Sequence, residues 1–350
     1  MQVRRLFAGS NGAGCFHSFF EYVIPEDARR VYLLKGGPGT GKSSLMKSLA
    51  ASFEAEGLAL ELFFCSSDAH SLDAVSCPEL GVAVIDATFP HVQDPKWPGC
   101  RDELVSLGDF WDSEQLAQRR EEITAAGEAK AAHFAAAFRY FTAALAVEEN
   151  RAARSRGARL DCTQAVEGIL NEIKQAAKPT AVPHRARHLF ASALTPQGYV
   201  SEIELLSTGL RRPILTGPSG CGQAEYLELI LSHAELAGLK AEAFHDPLDP
   251  KKLLHLLLPE LDLAVLTETE REPALEGERI YCGRPEESAA EAADRRLSRE
   301  LLELGITELK QAQSCHAVVE GLYTAAMDFG AVEELRKRLE VEILSYRNRS

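Results

Sequence analysis

Apolar runs alternate with segments of helical spacing along the first third of the chain. The runs at 31–35 and 82–86 are nearly continuous, which predicts strands of a parallel sheet that is covered on both faces. Apolar residues from Leu45 to Phe53 recur at helical intervals and predict a helix over 42–56. Weaker patterns predict strands at 3–8, 59–65 and 103–107 and a strand or helix at 15–24. This order of elements predicts an α/β fold.

A long segment of helical periodicity follows at 113–178. It is rich in alanine and carries Phe134, Phe138 and Phe141, whose spacings of four and three residues place the rings on one helix face. We expect this face to form a buried seam between helices, and a surface that binds a partner is the alternative. The segment is therefore predicted to be a helical appendage of the α/β fold.

The second half of the chain repeats the first in the same order. The segment PELGVAVIDAT at 78–88 returns as PELDLAVLTET at 259–269. Shorter echoes pair 5–8 with 188–191, 29–34 with 211–216 and 141–145 with 323–327. Four matches in one order, at a nearly constant offset, predict a duplicated domain.

The repeats predict two domains, each a mostly parallel sheet with helices on both faces and a C-terminal helical appendage. The first domain is expected to span 1–180 and the second 184–350, with its own appendage at 286–350. The boundary falls near 178–183, where two prolines interrupt the helical pattern.

A glycine-rich loop lies between the predicted strand at 31–35 and the helix that follows it. Its sequence GGPGTGKS, residues 36–43, matches the G-x-x-x-x-G-K-[ST] pattern of a P-loop, whose backbone N–H groups surround nucleotide phosphates. Lys42 would reach the β- and γ-phosphates and Ser43 would ligate Mg²⁺, beside the positive N-terminus of the helix. The residues predicted to bind nucleotide are Gly36, Gly37, Pro38, Gly39, Thr40, Gly41, Lys42, Ser43 and Ser44.

The apolar strand at 82–86 ends in Asp86, as in the Walker B pattern, and this carboxylate is predicted to hold Mg²⁺. No glutamate follows Asp86 directly, so the residue that orients an attacking water in many ATPases is missing from its usual place. The chain contains no N-K-x-D motif for reading guanine. The sequence therefore favours ATP over GTP and supports binding better than hydrolysis.

The segment 65–73 is predicted to be a polar loop on the nucleotide side of the sheet, because ligands bind outside the carboxyl ends of strands. Asp68 is the leading candidate for a base that orients water or activates an acceptor, and a turn-capping role is the alternative. Further candidates are His70, Asp73, His91 and a Cys65 nucleophile that lacks a basic neighbour in sequence to lower its pKa.

The corresponding loop of the second half, at 217–224, keeps its glycines but has lost the charged and metal-binding groups. Gln223, Ala224 and Thr267 stand where the first half has its lysine, serine and aspartate. A neutral amide does not compensate a γ-phosphate, and alanine offers Mg²⁺ no oxygen. We expect a pseudo-NTPase with a structural or regulatory role, whose backbone could still bind an anion.

Four arginines, at positions 151, 154, 156 and 159, surround Gly157 between predicted helices of the appendage. A closing lid or an arginine finger could originate there. A solvated charged face is the alternative.

The composition limits the partners. Among 350 residues the formal net charge is −14, which argues against bulk binding of nucleic acid or of an anionic membrane. The N-terminus lacks the apolar core of a signal peptide and no run of 18 uncharged apolar residues occurs, so we expect a cytoplasmic protein. Eight cysteines without a C-x-x-C pair are expected to be reduced and to form no zinc site.

Four segments together carry a family resemblance: KGGPGTGKS, CSSD-x-x-SLD, PEL-x-VA-x-ID-x-T-x-PH and LGDFWD. Across essentially its whole length the chain resembles a bacterial family of tandem P-loop ATPases, mostly described as hypothetical or nucleotide-kinase-like proteins. The resemblance implies a cytosolic ATP-binding protein with Gly36, Gly41, Lys42, Ser43 and Asp86 at the nucleotide. It implies no substrate. The family pattern has a P-loop in each half, from which the second half departs.

The sequence thus predicts a protein that binds ATP with Mg²⁺ and hydrolyses it in the first half, with Lys42, Asp86 and Asp68 as the catalytic candidates. One alternative is a kinase that transfers the γ-phosphoryl group to an unidentified small molecule or nucleotide. Another is a nucleotide-gated module that binds a protein partner with little turnover.

Overall fold

A computed structural model of the chain describes residues 3–177 and 182–348. Most of the predicted boundary between the halves, residues 178–181, lies outside the described residues. In the described residues each half forms a six-stranded sheet and a two-stranded sheet, with helices packed around them. The prediction of duplicated α/β sheets is confirmed at this level.

The first half contains eight strands in its described residues: β1 (Val3–Leu6), β2 (Gly9–Asn11), β3 (Phe16–Ser18), β4 (Arg30–Lys35), β5 (Leu60–Cys65), β6 (Asp68–Cys77), β7 (Val82–Asp86) and β8 (Asp102–Ser106). Its helices are α1 (Lys42–Ala55), α2 (Ser113–Gln118), α3 (Arg120–Ser155) and α4 (Thr163–Ala176).

The described residues of the second half give the matching strands β9 (Arg187–Leu189), β10 (Ser192–Thr195), β11 (Gly198–Ser201), β12 (Pro213–Thr216), β13 (Glu242–His245), β14 (Leu253–Leu258), β15 (Leu263–Thr267) and β16 (Glu278–Tyr281). Its helices are α5 (Ile203–Leu206), α6 (Gln223–Leu236), α7 (Ala289–Ala325) and α8 (Phe329–Ser345).

The two large sheets have the same topology. The strand order is β1-β5-β6-β7-β4-β8 in the first and β9-β13-β14-β15-β12-β16 in the second. In each sheet one inner strand, β6 or β14, runs antiparallel to both its neighbours, and the remaining pairings are parallel. The duplication inferred from short sequence echoes is therefore visible strand by strand.

Strand β6 was not predicted. The sequence predicts a polar loop at 65–73, whereas the chain turns at Ser66 and Ser67 and returns as a strand that pairs with β5. Polar residues dominate the first half of β6, and its buried positions begin only at Leu72. The strand exists because both its edges are paired, with β5 and with β7, which a local pattern does not reveal.

Helices α3 and α7, of 36 and 37 residues, form an antiparallel pair that we call the arm. Ser155 at the end of α3 donates a hydrogen bond to Glu291 near the start of α7, and His133 contacts Glu308 at 2.7 Å near the middle. Phe141 is buried against Gly305, where an added Cβ would lie 2.3 Å from the ring. The predicted helix–helix seam is confirmed.

One of the sequence echoes is not a structural equivalence. Phe141 lies inside the arm, whereas its proposed counterpart Tyr323 lies near the end of α7 against Gly37. The similar segments 141–145 and 323–327 therefore lie at different positions in the two copies.

The helices that end the two halves are exchanged. Val166, Ile169 and Ile173 of α4 lie in the core that covers the second sheet, together with apolar residues of α6. Leu335 and Leu339 of α8 lie in the core that covers the first sheet, together with residues of α1. Each half therefore completes the hydrophobic core of the other.

The two sheets also meet directly. Phe7 and Phe190 exchange a pair of backbone hydrogen bonds of 3.0 Å. Arg4 contacts both Glu61 and Glu242, and its counterpart Arg187 contacts the same two carboxylates. Each arginine thus bridges acidic residues of both halves.

No helix among the described residues has the length and the apolar character needed to cross a bilayer. All eight cysteines are free thiols, and Cys162 and Cys282 bring their sulfur atoms to 3.3 Å.

Candidate functional site

The first glycine loop, residues 36–43, connects β4 to α1 at the carboxyl edge of the first sheet. Gly39 and Gly41 have φ values of 71° and 88°, a region in which a side chain would be strained, and Gly41 is the residue directly before α1. Thr40 stabilises the loop by donating a hydrogen bond of 2.8 Å to the Gly37 carbonyl. Ser44 is exposed on the first turn of α1.

The Lys42 ammonium lies inside this loop. Its Nζ donates hydrogen bonds of 2.8 and 2.7 Å to the carbonyls of Gly36 and Gly37 and lies 3.6 Å from Asp86 Oδ2. The side chain is almost fully buried. A cation is therefore held where the loop closes around the start of α1.

Two side chains with oxygen atoms belong to the same site: Asp86, which lies beside the Lys42 ammonium, and Ser43, the next residue of α1. Asp86 is the last residue of β7, which runs parallel to β4, and its Oδ1 accepts a hydrogen bond of 3.0 Å from the Thr88 backbone. Ser43 Oγ accepts a hydrogen bond of 3.0 Å from the Leu72 backbone. A hydroxyl and a carboxylate are hard oxygen ligands of the kind that Mg²⁺ prefers.

Asp68 caps the hairpin turn between β5 and β6. Its two oxygens accept hydrogen bonds from the His70 backbone at 3.1 Å and from the Ser71 hydroxyl at 2.5 Å. This is the turn-capping role that is the alternative to a base in the prediction from the sequence. The charge of Asp68 nevertheless acts on Glu320, a residue of the arm that packs against Gly39.

His91 and Asp73 form a buried pair below the site. His91 Nε2 lies 3.5 Å from Asp73 Oδ1, and Nδ1 donates a hydrogen bond of 2.9 Å to the Asp86 carbonyl. Burial by itself lowers the pKa of His91, but Asp73 and Asp86 together outweigh it and the net pKa is raised. The pair fixes the end of β7. Burial and Asp73 raise the pKa of the Cys65 thiol, which disfavours a thiolate nucleophile.

The first glycine loop is covered by the second half of the chain. Thr324 near the end of α7 donates a hydrogen bond of 3.2 Å to the Gly39 carbonyl. An added Cβ at Gly37 would lie 2.7 Å from the Tyr323 ring. The short distances mean that the loop and the end of the arm pack directly against each other, which no sequence motif indicated.

Three polar residues of the arm, Lys130, His316 and Glu320, are in contact with one another, and the charge of Lys42 acts on the last two. Lys130 of α3 donates a hydrogen bond of 3.3 Å to His316 Nδ1, and His316 Nε2 lies 3.6 Å from Glu320 Oε1. Burial, Lys130 and Lys42 lower the pKa of His316 to about 4, so the ring is neutral at physiological pH. Burial and Asp68 raise the pKa of Glu320, against the opposing effect of Lys42 and Lys130.

The second glycine loop, residues 217–224, preserves the backbone arrangement without the cation. Gln223 Nε2 donates hydrogen bonds of 2.9 and 3.1 Å to the carbonyls of Gly217 and Pro218, the counterparts of the carbonyls that Lys42 contacts. A neutral amide thus replaces the ammonium as the donor that holds the loop. The hydroxyl of Thr267, the counterpart of Asp86, is buried without a hydrogen-bond partner among the described residues.

The arginine cluster lies at the second loop rather than the first. An added Cβ at Gly222 would lie 2.6 Å from the Arg159 guanidinium, while Arg151 pairs with Glu270 and Arg154 with Asp294. Because α3 and α7 are antiparallel, the end of α3 reaches the second loop and the end of α7 reaches the first. An arginine finger from this cluster toward Lys42 is therefore excluded by position.

Fold and site define a duplicated α/β protein in which a glycine loop follows the strand next to one sheet edge in each copy and packs against the arm helix of the other copy. Comparison of the chain with known protein families, with curated proteins and with solved structures found no match. Within the described residues, no group of three His, Cys, Asp or Glu side chains is arranged to hold a metal ion.

Proposed function

We propose that the first half binds ATP with Mg²⁺ at the first glycine loop and hydrolyses it. The observation that carries the proposal is the position of Lys42, whose ammonium lies within the loop and beside Asp86. A cation, a hydroxyl and a carboxylate around the N-terminus of a helix form the set of groups that binds a metal-complexed polyphosphate. Membership of the tandem P-loop ATPase family that the sequence resembles is part of this proposal.

Each group then has a separate role. The loop N–H groups and Lys42 bind phosphate oxygens. On binding, Lys42 gives up its hydrogen bonds to the carbonyls of Gly36 and Gly37 and donates to the phosphate instead. Ser43 and Asp86 are the residues that would hold Mg²⁺, which when bound neutralises charge on the phosphates. The buried pair below Asp86 keeps the end of β7 in place.

We expect Asp86→Asn to remove the magnesium-dependent part of ATP affinity, about 10- to 100-fold, because the amide is a weaker metal ligand than the carboxylate. Calorimetric titration with ATP in the presence of magnesium and of a chelator measures the two parts. Asp94→Asn is the matched control, since Asp94 is highly exposed on the loop after β7. An equal loss with and without the metal would remove Asp86 from the metal site.

We also expect one magnesium-dependent nucleotide site per chain. The second loop lacks the lysine, the serine and the aspartate of the first loop. The Gln223 amide already donates hydrogen bonds to two carbonyls of this loop. Titration with a non-hydrolysable ATP analogue should give a stoichiometry near one, and Gln223→Ala should leave ATP turnover unchanged within about twofold. A stoichiometry near two that falls to one in this variant would show that the second loop binds nucleotide.

Phosphoryl transfer is the second candidate function. The loop that follows Asp86 exposes the aromatic rings of Phe89 and Trp97, and exposed rings on this loop offer a surface on which an acceptor could stack. Product analysis separates the candidates. Hydrolysis yields ADP and free phosphate, a kinase yields ADP and a phosphorylated acceptor, and a nucleotide-gated interaction module yields little ADP.

A further inference from the structure

We propose that the arm completes the active site of the first half, with Glu320 of α7 as the base that orients the attacking water and Lys130 of α3 as the cation that stabilises the transferred phosphoryl group. This inference rests on the proposed ATP hydrolysis. It assigns both groups to helices remote in sequence from the first glycine loop.

The sheet of the first half leaves the role of the base unfilled. The residues directly after Asp86 are Ala87 and Thr88, and Thr88 donates its hydroxyl hydrogen to the Gly36 carbonyl at 3.1 Å. Both oxygens of Asp68 accept hydrogen bonds within the hairpin turn. Asp73 is buried and paired with a histidine. The nearby carboxylates of the sheet are thus committed to structural contacts or to the metal site.

Glu320 is differently placed. Among the described residues, His316 is the one basic group within ion-pair distance of its carboxylate, with a neutral imidazole at 3.6 Å, and the Glu320 side chain is about half exposed. The carboxylate is therefore open to water and not neutralised by an ion pair. Its raised pKa makes it a stronger base than an ordinary exposed glutamate. Glu320 also belongs to the helix turn that lies directly on Gly39.

Lys130 supplies the complementary charge. Its hydrogen-bond partner is the neutral His316, and no carboxylate lies within ion-pair distance of its ammonium in the part of the chain that the structure describes. Burial lowers the pKa of the Lys130 ammonium, against the opposing effect of Glu320, because a partly buried cation without a paired counter-ion is unfavourable. An anionic phosphoryl group would provide the missing counter-charge, beside that of Lys42.

The second loop provides an independent comparison. The backbone of Ala152 lies against Gly220 as the backbone of Glu320 lies against Gly39. The same spacing along the arm places Ser298, whose buried hydroxyl has no hydrogen-bond partner among the described residues, at the counterpart of Lys130. The copy that lost the lysine, serine and aspartate of its loop therefore lacks both arm groups as well.

The proposed step balances without further reactants. A bond forms from the water oxygen to the γ-phosphorus, and the bond from the γ-phosphorus to the β–γ bridging oxygen breaks. One proton of the water passes to the Glu320 carboxylate, and the bridging oxygen leaves with its electron pair on ADP. Lys130 offsets negative charge on the oxygens of the transferred group.

The test compares Glu320→Gln and Lys130→Met with controls on the arm, Glu303→Gln and Lys310→Met, whose side chains are exposed. Wild-type binding of a non-hydrolysable ATP analogue and phosphate release from Mg·ATP are measured first. Absence of both would defeat the proposed function itself. We expect either active-site variant to lower kcat about 10²- to 10³-fold with analogue affinity within about threefold, and the controls to match wild type.

A pH profile separates catalysis from a structural role. His316, Lys130, Asp68 and Lys42 are the titratable groups that act on Glu320. The base must be deprotonated, so wild-type kcat should fall on the acid side as Glu320 is protonated, and this limb should be absent in Glu320→Gln. Hydrolysis by the wild type together with undiminished kcat in Glu320→Gln, or an unchanged acid limb, would overturn the inference. A lower kcat that is accompanied by a lower melting temperature and a weaker analogue affinity would also overturn the inference, because these losses together indicate a structural role.

Discussion

Lys42→Gln is expected to lower ATP turnover by about 10³-fold or more while leaving the fold intact. The second glycine loop shows why this variant is sharper than an alanine substitution. Gln223 makes the same pair of hydrogen bonds to its loop carbonyls that Lys42 makes to Gly36 and Gly37. Glutamine at position 42 should therefore hold the ligand-free loop and remove only the positive charge.

The measurements are phosphate release, calorimetric ATP affinity and the melting temperature. Lys47→Gln is the matched control, because Lys47 is exposed on the same helix. Turnover equal to wild type in Lys42→Gln would contradict the proposed site. A large drop in melting temperature, with no such drop in the control, would show instead that the ammonium is needed for the fold.

Leu339→Asp is expected to unfold the first half and with it to abolish ATP binding. Leu339 is 4% exposed, in the core formed by α8, α1 and the first sheet. The substitution removes a buried leucine and places a charge there, which costs about 5 kcal/mol or more. Such a loss is comparable with the whole stability of a typical domain. Chemical denaturation followed by circular dichroism measures it.

Val341→Asp is the control for this prediction. Val341 lies two residues further along α8 and is 72% exposed, so the same new charge should change the free energy of unfolding by less than about 0.5 kcal/mol. If Leu339→Asp were as stable as Val341→Asp, the exchanged packing of α8 on the first half would be wrong.

The exchange suggests a reason for the second half to be retained. It lacks the charged groups of the first glycine loop, yet its α8 covers the first sheet and its α7 contacts that loop through Thr324. A first half produced without 182–348 would lose this core helix. We therefore expect the two halves to act as one unit.

Several features could be predicted from the sequence because they depend on neighbouring residues. The strand at 82–86 and the helix beginning at Lys42 were predicted nearly residue by residue, since apolar spacing and turn-forming glycines act locally. The duplicated α/β sheets also followed from the sequence, because repeated segments fold alike. The glycine loop and Asp86 were recognised as one candidate site, since parallel strands place their carboxyl ends at the same edge.

Other features were decided only by the tertiary structure. The strand character of β6 depends on pairing with β5 and β7, which outweighs its polar first half. The sequence places the arginines near Gly157 beside an appendage, but the antiparallel direction of the arm carries them to the second loop. Lys130 and Glu320 are separated by most of the chain and match no motif. Both contact His316 because α3 and α7 pack together over their length, and the free energy of such long-range packing is not contained in any local pattern of residues.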